Sequence, residues 1–403
     1  MTITTLPLNA KESTECFFFP GVKEYFTRLP GFPHPLQRPT KPAHRLVDLP
    51  GKGKAVFSTR ALAQGELILS ERPLLIRPSG MTIPTPPTFT REQFFQHQLN
   101  GTELYLEHSV NRMSPERKAA FMALANSHKE DGSGPLMGIT RTNSIGLPGL
   151  RPGVKEPEEQ HSAVCNEISR LNHSCSANTN PIFDKYSLSY RLYAVRDIAA
   201  GEELTFQYIN TLSDAAKRQE SLKPYDFVCT CTACTEPTAE SDARRAAICG
   251  FTPTVMMWAI KRELSDDWLI EKCREQLALI EQEGLEHVEP YCAAVKAIME
   301  AYICLGDTAQ ASKWAAKVNK CVWADNYQSV ENLLDPASPA YKKHPMWRMR
   351  LGQAPPGFGK MFQDFAALAG EDGVKMLPGG AGIMMFPMPA GMPKPPFPFP
   401  SRK

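Results

Sequence analysis

No stretch of the 403-residue sequence approaches the roughly 18 consecutive apolar residues that a membrane-crossing helix needs. The opening run MTITTLPLNAKESTE lacks both the basic and the apolar segment of a secretory leader. The expectation is a soluble protein of the cytoplasm, with entry to the nucleus left open, although no basic cluster resembles a strong nuclear signal. Excess charge of one sign is missing too. Lys and Arg number 45 against 43 Asp and Glu, and a formal charge of +2 gives no overall basic field for nucleic acid as the main ligand. Also absent is an even, regularly spaced set of cysteines: the 11 present are scattered, with Cys292 and Cys304 inside helical patterns. That argues against a secreted disulfide scaffold and for reduced thiols with one clustered metal site. What is there is a soluble globular balance, 42% hydrophobic and 22% charged, over a length that suits two or three units.

Residues 1–46, rich in proline and aromatics, show no sustained period and read as an irregular arm. From Lys54, KAVFSTR and ELILSERPLLI are β-rich and separated by AQGE, which predicts a hairpin. A helical insertion is expected at about 77–160, its clearest segment being SPERKAAFMALANSH with Ser114 as N-cap and Pro115 at the first helical position. Strand-like YSLSYRLYAV and ELTFQYI then resume, closing a unit at 47–212. A short helix at 213–223 precedes a cysteine cluster in a segment ending at 236. Residues 237–350 read as four helices at about 240–262, 266–283, 288–305 and 308–326, the last two joined by LGD as in helix-turn-helix repeats. The Pro-, Gly- and Met-rich stretch 351–403 has no means of forming a core and is expected to be disordered.

The strongest metal signal is Cys229-Thr230-Cys231-Thr232-Ala233-Cys234. Three thiolates this close can chelate one ion, but tetrahedral zinc takes four ligands and none follows nearby. Cys175, in the polar turn NHSC, is the natural fourth donor. Exposed or redox-active thiols are the competing explanation. Two further constellations are RLNHSCSAN (170–178) and GEELTFQY (201–208).

Together with PGKGKAVFSTRALAQGE near the start, these segments resemble the ordered motifs of a SET domain: a G-x-G turn, N-H-S-C-x-x-N, G-E-E-L-T-x-x-Y and a post-SET C-x-C-x-x-C. The passage GEELTFQYINTLSDAAKRQESLKPYDFVCTCTAC is most similar to SET and MYND domain lysine methyltransferases and their fungal-type relatives without the MYND finger. That finger has no ligands here, since no cysteine lies between Cys16 and Cys165. The resemblance implies an α+β fold: small β-sheets with a pseudoknot and a helical insertion, a post-SET zinc site and an all-α, TPR-like C-terminal domain.

It also implies S-adenosylmethionine as cofactor, one structural zinc on Cys175, Cys229, Cys231 and Cys234, and a protein substrate bearing the target lysine. Neither a membrane nor direct nucleic-acid binding is expected, and the chain is expected to be a monomer. Gly51, Lys52 and Gly53 fall on the cofactor turn, where missing side chains let the backbone approach the donor. Ala55 stands where many members have a further glycine. Asn172 and His173 match the pair that holds the cofactor, with Ala177 in place of the usual proline nearby. Asn143 and Ile145 match a cofactor-touching asparagine and a channel aromatic, the isoleucine implying a wider lysine channel. Tyr208 matches the catalytic tyrosine, Tyr225 a channel tyrosine and Phe227 the aromatic that packs on adenine. Two other readings stay open: a catalytically weak SET-like adaptor that binds partners through its C-terminal helices, and a zinc module that reads histones or nucleic acid without catalysis.

Overall fold

The computed structural model describes residues 1–8, 12–50, 53–79, 81–147, 149–150, 161–324 and 327–353. Residues 1–356 form one compact unit. Gly51, Lys52 and nearly all of the stretch 351–403 lie outside the described residues.

Among the described residues twelve strands occur: β1 (Thr2–Leu6), β2 (Thr14–Phe18), β3 (His44–Leu49), β4 (Gly53–Ser58), β5 (Leu67–Glu71), β6 (Leu75–Pro78), β7 (Ser144–Leu147), β8 (His161–Val164), β9 (Asn172–His173), β10 (Thr179–Asp184), β11 (Ser189–Ala194) and β12 (Glu203–Phe206). They form three small sheets, ordered β1-β2-β6-β8-β7, β10-β11-β5 and β3-β4-β12-β9. The sheets share one apolar core that includes Phe18, Phe26, Leu62, Ile68, Leu192 and Leu204. Each such side chain contributes roughly 1.5–3 kcal/mol by leaving water.

Two expectations are corrected here. The arm at 1–46 is not irregular. Its strands β1 and β2 pair from Thr2↔Phe18 to Leu6↔Thr14, and β2 runs parallel to β6. Strands of five residues are too short to register as a period, and β2 is buried at every position, so it does not alternate. The hairpin expected from 54 onward does not form either: β4 pairs with β3 and β12, whereas β5 pairs with β11. The connection between β4 and β5 is tied instead to the segment after β11, through the Leu62↔Ile198 bridge and the Gln64 N–H donated to Asp197 at 2.9 Å.

Helices fill the insertion. The helix Pro115–Met122 starts with the Ser114 hydroxyl accepting from the Arg117 N–H at 3.3 Å. The longest, Arg91–Val110, is opened by a capping box between Thr90 and Gln93. Its apolar residues are spread around its circumference, with Phe95, Leu104 and Tyr105 exposed, so no stripe announced it. Toward the C-terminus, helices span Ala239–Gly250, Val255–Ile260, Trp268–Glu283, Glu289–Leu305 and Thr308–Val318. The single helix expected at 240–262 is interrupted at 251–254, where Pro253 lacks a backbone donor and keeps its predecessor extended. No helix among the described residues is long and apolar enough to cross a membrane.

Polar contacts hold these helices against the strands. The Ser176 hydroxyl donates to the Glu283 carbonyl at 2.8 Å, Thr211 Oγ1 lies 2.9 Å from His287 Nε2, and the Gln64 amide donates to Tyr291 at 2.9 Å. Gly65 makes the closest backbone approach. At φ +83° it occupies the left-handed region, and a Cβ there would stand 2.6 Å from the Lys320 carbonyl oxygen. Gly65→Ala is therefore expected to destabilise the chain by about 2 kcal/mol or more, combining left-handed strain with a backbone clash. Thermal unfolding checks this: an unchanged midpoint would mean that the β4–β5 connection separates from residue 320 at no cost.

Candidate active site

The site begins with a two-residue strand. β9 lies parallel to β12, with Asn172 opposite Thr205 and His173 opposite Phe206. Asn178 fastens the loop that follows: its amide nitrogen donates to Glu202 at 2.9 Å and to the Glu203 carbonyl at 2.8 Å, and its oxygen accepts the Thr205 N–H at 2.8 Å. It is 2% exposed, so each of these bonds is made out of water, where an unmade one costs most.

This pairing sets Tyr208 beside the 172–173 loop. The Tyr208 N–H donates to His173 Nδ1 at 3.1 Å, and its phenol donates to the Leu171 carbonyl at 2.5 Å. Because Nδ1 accepts, the proton of a neutral imidazole sits on Nε2, which faces Cys175 Sγ at 3.3 Å. Burial pushes His173 down to about 4, so the ring stays neutral at physiological pH. Burial, with Tyr225 and Glu203 adding, holds the Tyr208 phenol well above the ordinary tyrosine value. It is therefore a protonated hydrogen-bonding group rather than a base. Around it the Tyr225 ring lies 5.0 Å away centroid to centroid, His173 5.3 Å, and Phe206 and Phe227 6.2 Å.

The loop that carries His173 also carries Cys175. The sulfurs of Cys175, Cys229, Cys231 and Cys234 all lie within 4.8 Å of one another. Cys231 precedes the short helix Thr232–Thr235, and its carbonyl accepts the Cys234 N–H at 2.8 Å, a tight turn that points both thiols inward. Hydrogen bonds from the neighbouring thiols hold Cys231 well below the usual thiol range, and the same contacts drive Cys175 well above it. Four soft donors at this spacing fit tetrahedral zinc, which takes all of them as thiolates. Two fully buried guanidiniums stand nearby: Arg218 donates to the Ala233 carbonyl at 2.8 Å and Arg245 to the Cys175 carbonyl at 3.3 Å. Buried cations on a cysteine cluster suit one that carries negative charge.

A cavity of about 530 Å³ is lined by Tyr208 and Tyr225, and by Ser144 and Gly146 of β7. Asn172, His173 and Phe227 do not line it, whereas Tyr208 both lines it and lies against the rings of His173 and Phe227. Ile145 was expected in the channel wall. Side chains alternate along a strand, and Ile145 packs instead against the apolar core, leaving the wall to its neighbours. Asn143 also differs from expectation: it is 7% exposed, and its amide nitrogen is committed to the carbonyls of Ala125 and Ile139, both at 2.7 Å. Gly53 has φ +74° and nothing within 4 Å of where a Cβ would stand, which leaves its backbone approachable. Phe227 is 38% exposed beside His173, with ring centroids 6.1 Å apart. Sequence reasoning missed Arg77 and Ser162, which also line the cavity. The alternation in NSIG was the signal for Ser144, whereas nothing in the sequence marked Arg77.

The SET domain family model matches residues 53–209. The histone-lysine N-methyltransferase set5 of Schizosaccharomyces pombe is 24% identical over 222 residues, covering 54% of this chain and 59% of that protein. Human histone-lysine N-methyltransferase SMYD3 is 38% identical over 88 residues, covering 22% of this chain and 20% of that one. In both cases the matched stretch spans less than two thirds of the relative's own length. Among solved structures, the SET domain of LSMT bound to lysine and AdoHcy superposes with a TM-score of 0.29 and 10% identity over 87% of this chain and 96% of that one, an overlap too low to carry structural argument. From the family match and the two related sequences, with the small sheets and the paired 172–173 and 205–206 segments, residues 53–209 are a SET domain with homology to the SET5 and SMYD histone-lysine methyltransferases.

Proposed function

We propose that the chain transfers a methyl group from S-adenosylmethionine to the side-chain amine of a lysine in a protein substrate. The observation that carries this reading is the position of Tyr208, a protonated phenol anchored to the Leu171 carbonyl and standing between an aromatic group and a polar cavity. S-adenosylmethionine, when bound, supplies an electrophilic methyl on a sulfonium. Asn172, His173, Phe227 and the backbone at Gly53 would hold it. Phe227 offers an open ring face for a planar base, and aromatic faces suit a cation. Asn143 fits this role less well, having only its amide oxygen left to offer.

The amine must arrive neutral. For a free lysine, whose pKa is about 10.4, that costs roughly 4.6 kcal/mol at pH 7. A cavity walled by Tyr208 and Tyr225 with cationic side chains on its lining lowers this cost by disfavouring the ammonium. With its own proton given to the Leu171 carbonyl, the Tyr208 oxygen keeps lone pairs to accept an amine N–H and turn the nitrogen lone pair toward the donor. The cysteine cluster takes no part in the chemistry. Four thiolates leave no open position on zinc, so the ion would fix residues 229–234 to Cys175 and thereby Phe227 near His173. The helices from 239 to 318 would form an all-α domain that buttresses the site. A monomer of the cytoplasm with access to the nucleus completes the reading.

Two outcomes are expected. With purified full-length chain, labelled S-adenosylmethionine and a protein mixture, Tyr208→Phe should lower transfer by about 100-fold or more while donor affinity and thermal midpoint change little; full retained activity would overturn the role given to the phenol. Elemental analysis should find close to one zinc per chain, and Cys231→Ser should lose it and raise hydrogen exchange across 213–236. Methyl transfer by a zinc-free preparation at the unaltered rate would remove the metal from the account.

A further inference from the structure

The cavity holds more than a lysine needs. Its floor is a row across three strands, in which Arg77 of β6 pairs with Ser162 of β8 and Ser162 pairs with Gly146 of β7. Ser144 lies two residues along β7 from Gly146 and so on the same face. Arg77 Nε, Ser144 Oγ and Ser162 Oγ are all buried with no hydrogen-bond partner among the described residues. His128 and Arg141 complete the basic lining, and no carboxylate lines the cavity among the described residues. Those two already share Asp131, at 2.7 and 2.5 Å, and Arg141 also donates to Ser133 at 2.8 Å.

Arg77 is different. Among the described residues it makes no ion pair, and the charge that bears most on it is another cation, Arg141. Burial, with that like charge added, pushes it down to about 10. A half-buried guanidinium without a counter-ion is unfavourable, and two unpartnered hydroxyls on the same face compound the cost. An oxyanion would resolve such an arrangement, accepting from the planar fork and from serine hydroxyls on the same face. The donor's own carboxylate does not suit this place, because Asn172, His173 and Phe227 lie outside the cavity lining.

We propose that Arg77, with Ser144 and Ser162, binds an anionic side chain of the protein substrate next to the lysine presented at Tyr208, making Arg77 a specificity-determining residue. The oxyanion is a carboxylate or a phosphate on a residue flanking the target. This deepens the methyltransferase reading above and rests on it.

A peptide array tests it. Full-length chain and labelled S-adenosylmethionine are applied to lysine-centred peptides in which each flanking position is in turn alanine, glutamate or phosphoserine. At one or two positions glutamate or phosphoserine should raise kcat/KM about tenfold or more over alanine, as expected for hydrogen bonds to a charged group. A response to glutamate alone assigns a carboxylate, and a response to phosphoserine alone a phosphorylated residue. In Arg77→Gln the acidic-to-alanine ratio should collapse toward one, and in Arg77→Lys, which keeps the charge but not the fork, it should fall between. The donor KM should not follow these changes. Equal use of alanine and acidic peptides at every position by the unaltered chain overturns the proposal, as does a ratio that survives in Arg77→Gln. If Arg77→Gln does not fold, the unaltered chain and Arg77→Lys still decide. Absence of any labelled peptide or protein would instead bring down the methyltransferase reading, and this proposal with it.

Discussion

The site depends on one short pairing, two residues of β9 laid parallel to β12. So few backbone bonds would not hold a strand alone. Asn178 supplies the remainder, spending both ends of its amide on residues 202–205. The register matters because side chains alternate, so a slip of one residue would turn His173 away from the Tyr208 backbone and carry Cys175 away from the other thiols. One neutral imidazole then spans the two halves of the site, accepting from Tyr208 on Nδ1 and facing Cys175 on Nε2. The tyrosine and the cysteine cluster are thus mechanically one object, though Tyr208 and Cys175 are 33 residues apart in the sequence.

Charge is balanced locally, and the balance shows what each group is for. A divalent ion on four thiolates carries a net charge of about −2, costly to bury unless matched. Arg218 and Arg245 lie against the cluster with no side-chain exposure, and Arg245 is also paired with Glu283 at 3.1 Å. Their burial follows if the cluster is anionic. In the insertion, Asp131 plays the matching part for His128 and Arg141. Arg77 fits neither pattern: it lines the same cavity as His128 and Arg141 but has no carboxylate partner among the described residues.

Much of the site was legible because its residues are close in sequence or share a motif. NHSC and CTCTAC each show their chemistry on inspection, and the fold brings Cys175 to the other three cysteines and His173 to Tyr208. What was not legible follows from three-dimensional facts that no short motif carries. The orientation of Ile145 is set by which face of β7 meets the core, and the pairing of this edge strand with β8 decides that. Asn143 closes the helix Pro135–Asn143, and its amide is folded back on the Ile139 carbonyl one turn earlier and across to the Ala125 carbonyl, so its donors are already committed inside the protein. The strands of segment 1–46 were too short and too evenly buried to show a period, and the hairpin at 54–76 was lost because β4 pairs with the adjacent β3 and with β12, and β5 with β11, the last two more than 100 residues away. Local pattern identifies strands but not with whom they pair.

If the proposed reaction takes place in this cavity, its positive lining would also bear on how an amine becomes reactive there. A unit charge about 8 Å away, at an effective dielectric near 20, is worth about 2 kcal/mol. At such a separation one unpaired guanidinium would offset somewhat less than half of the roughly 4.6 kcal/mol needed to bring lysine in neutral at pH 7. If that guanidinium is paired by an anion on the substrate, the field at the amine weakens, and affinity is gained at the expense of deprotonation. The two effects oppose each other only to the extent that the oxyanion and the amine feel the same charge. Burial of the amine between Tyr208 and Tyr225, together with the donor's own sulfonium, would have to supply the remainder, and neither is altered by what occupies the arginine. On the proposed reading the aromatic wall and the basic floor would share the task of delivering a neutral amine, while only the floor would also distinguish one lysine from another by its neighbours.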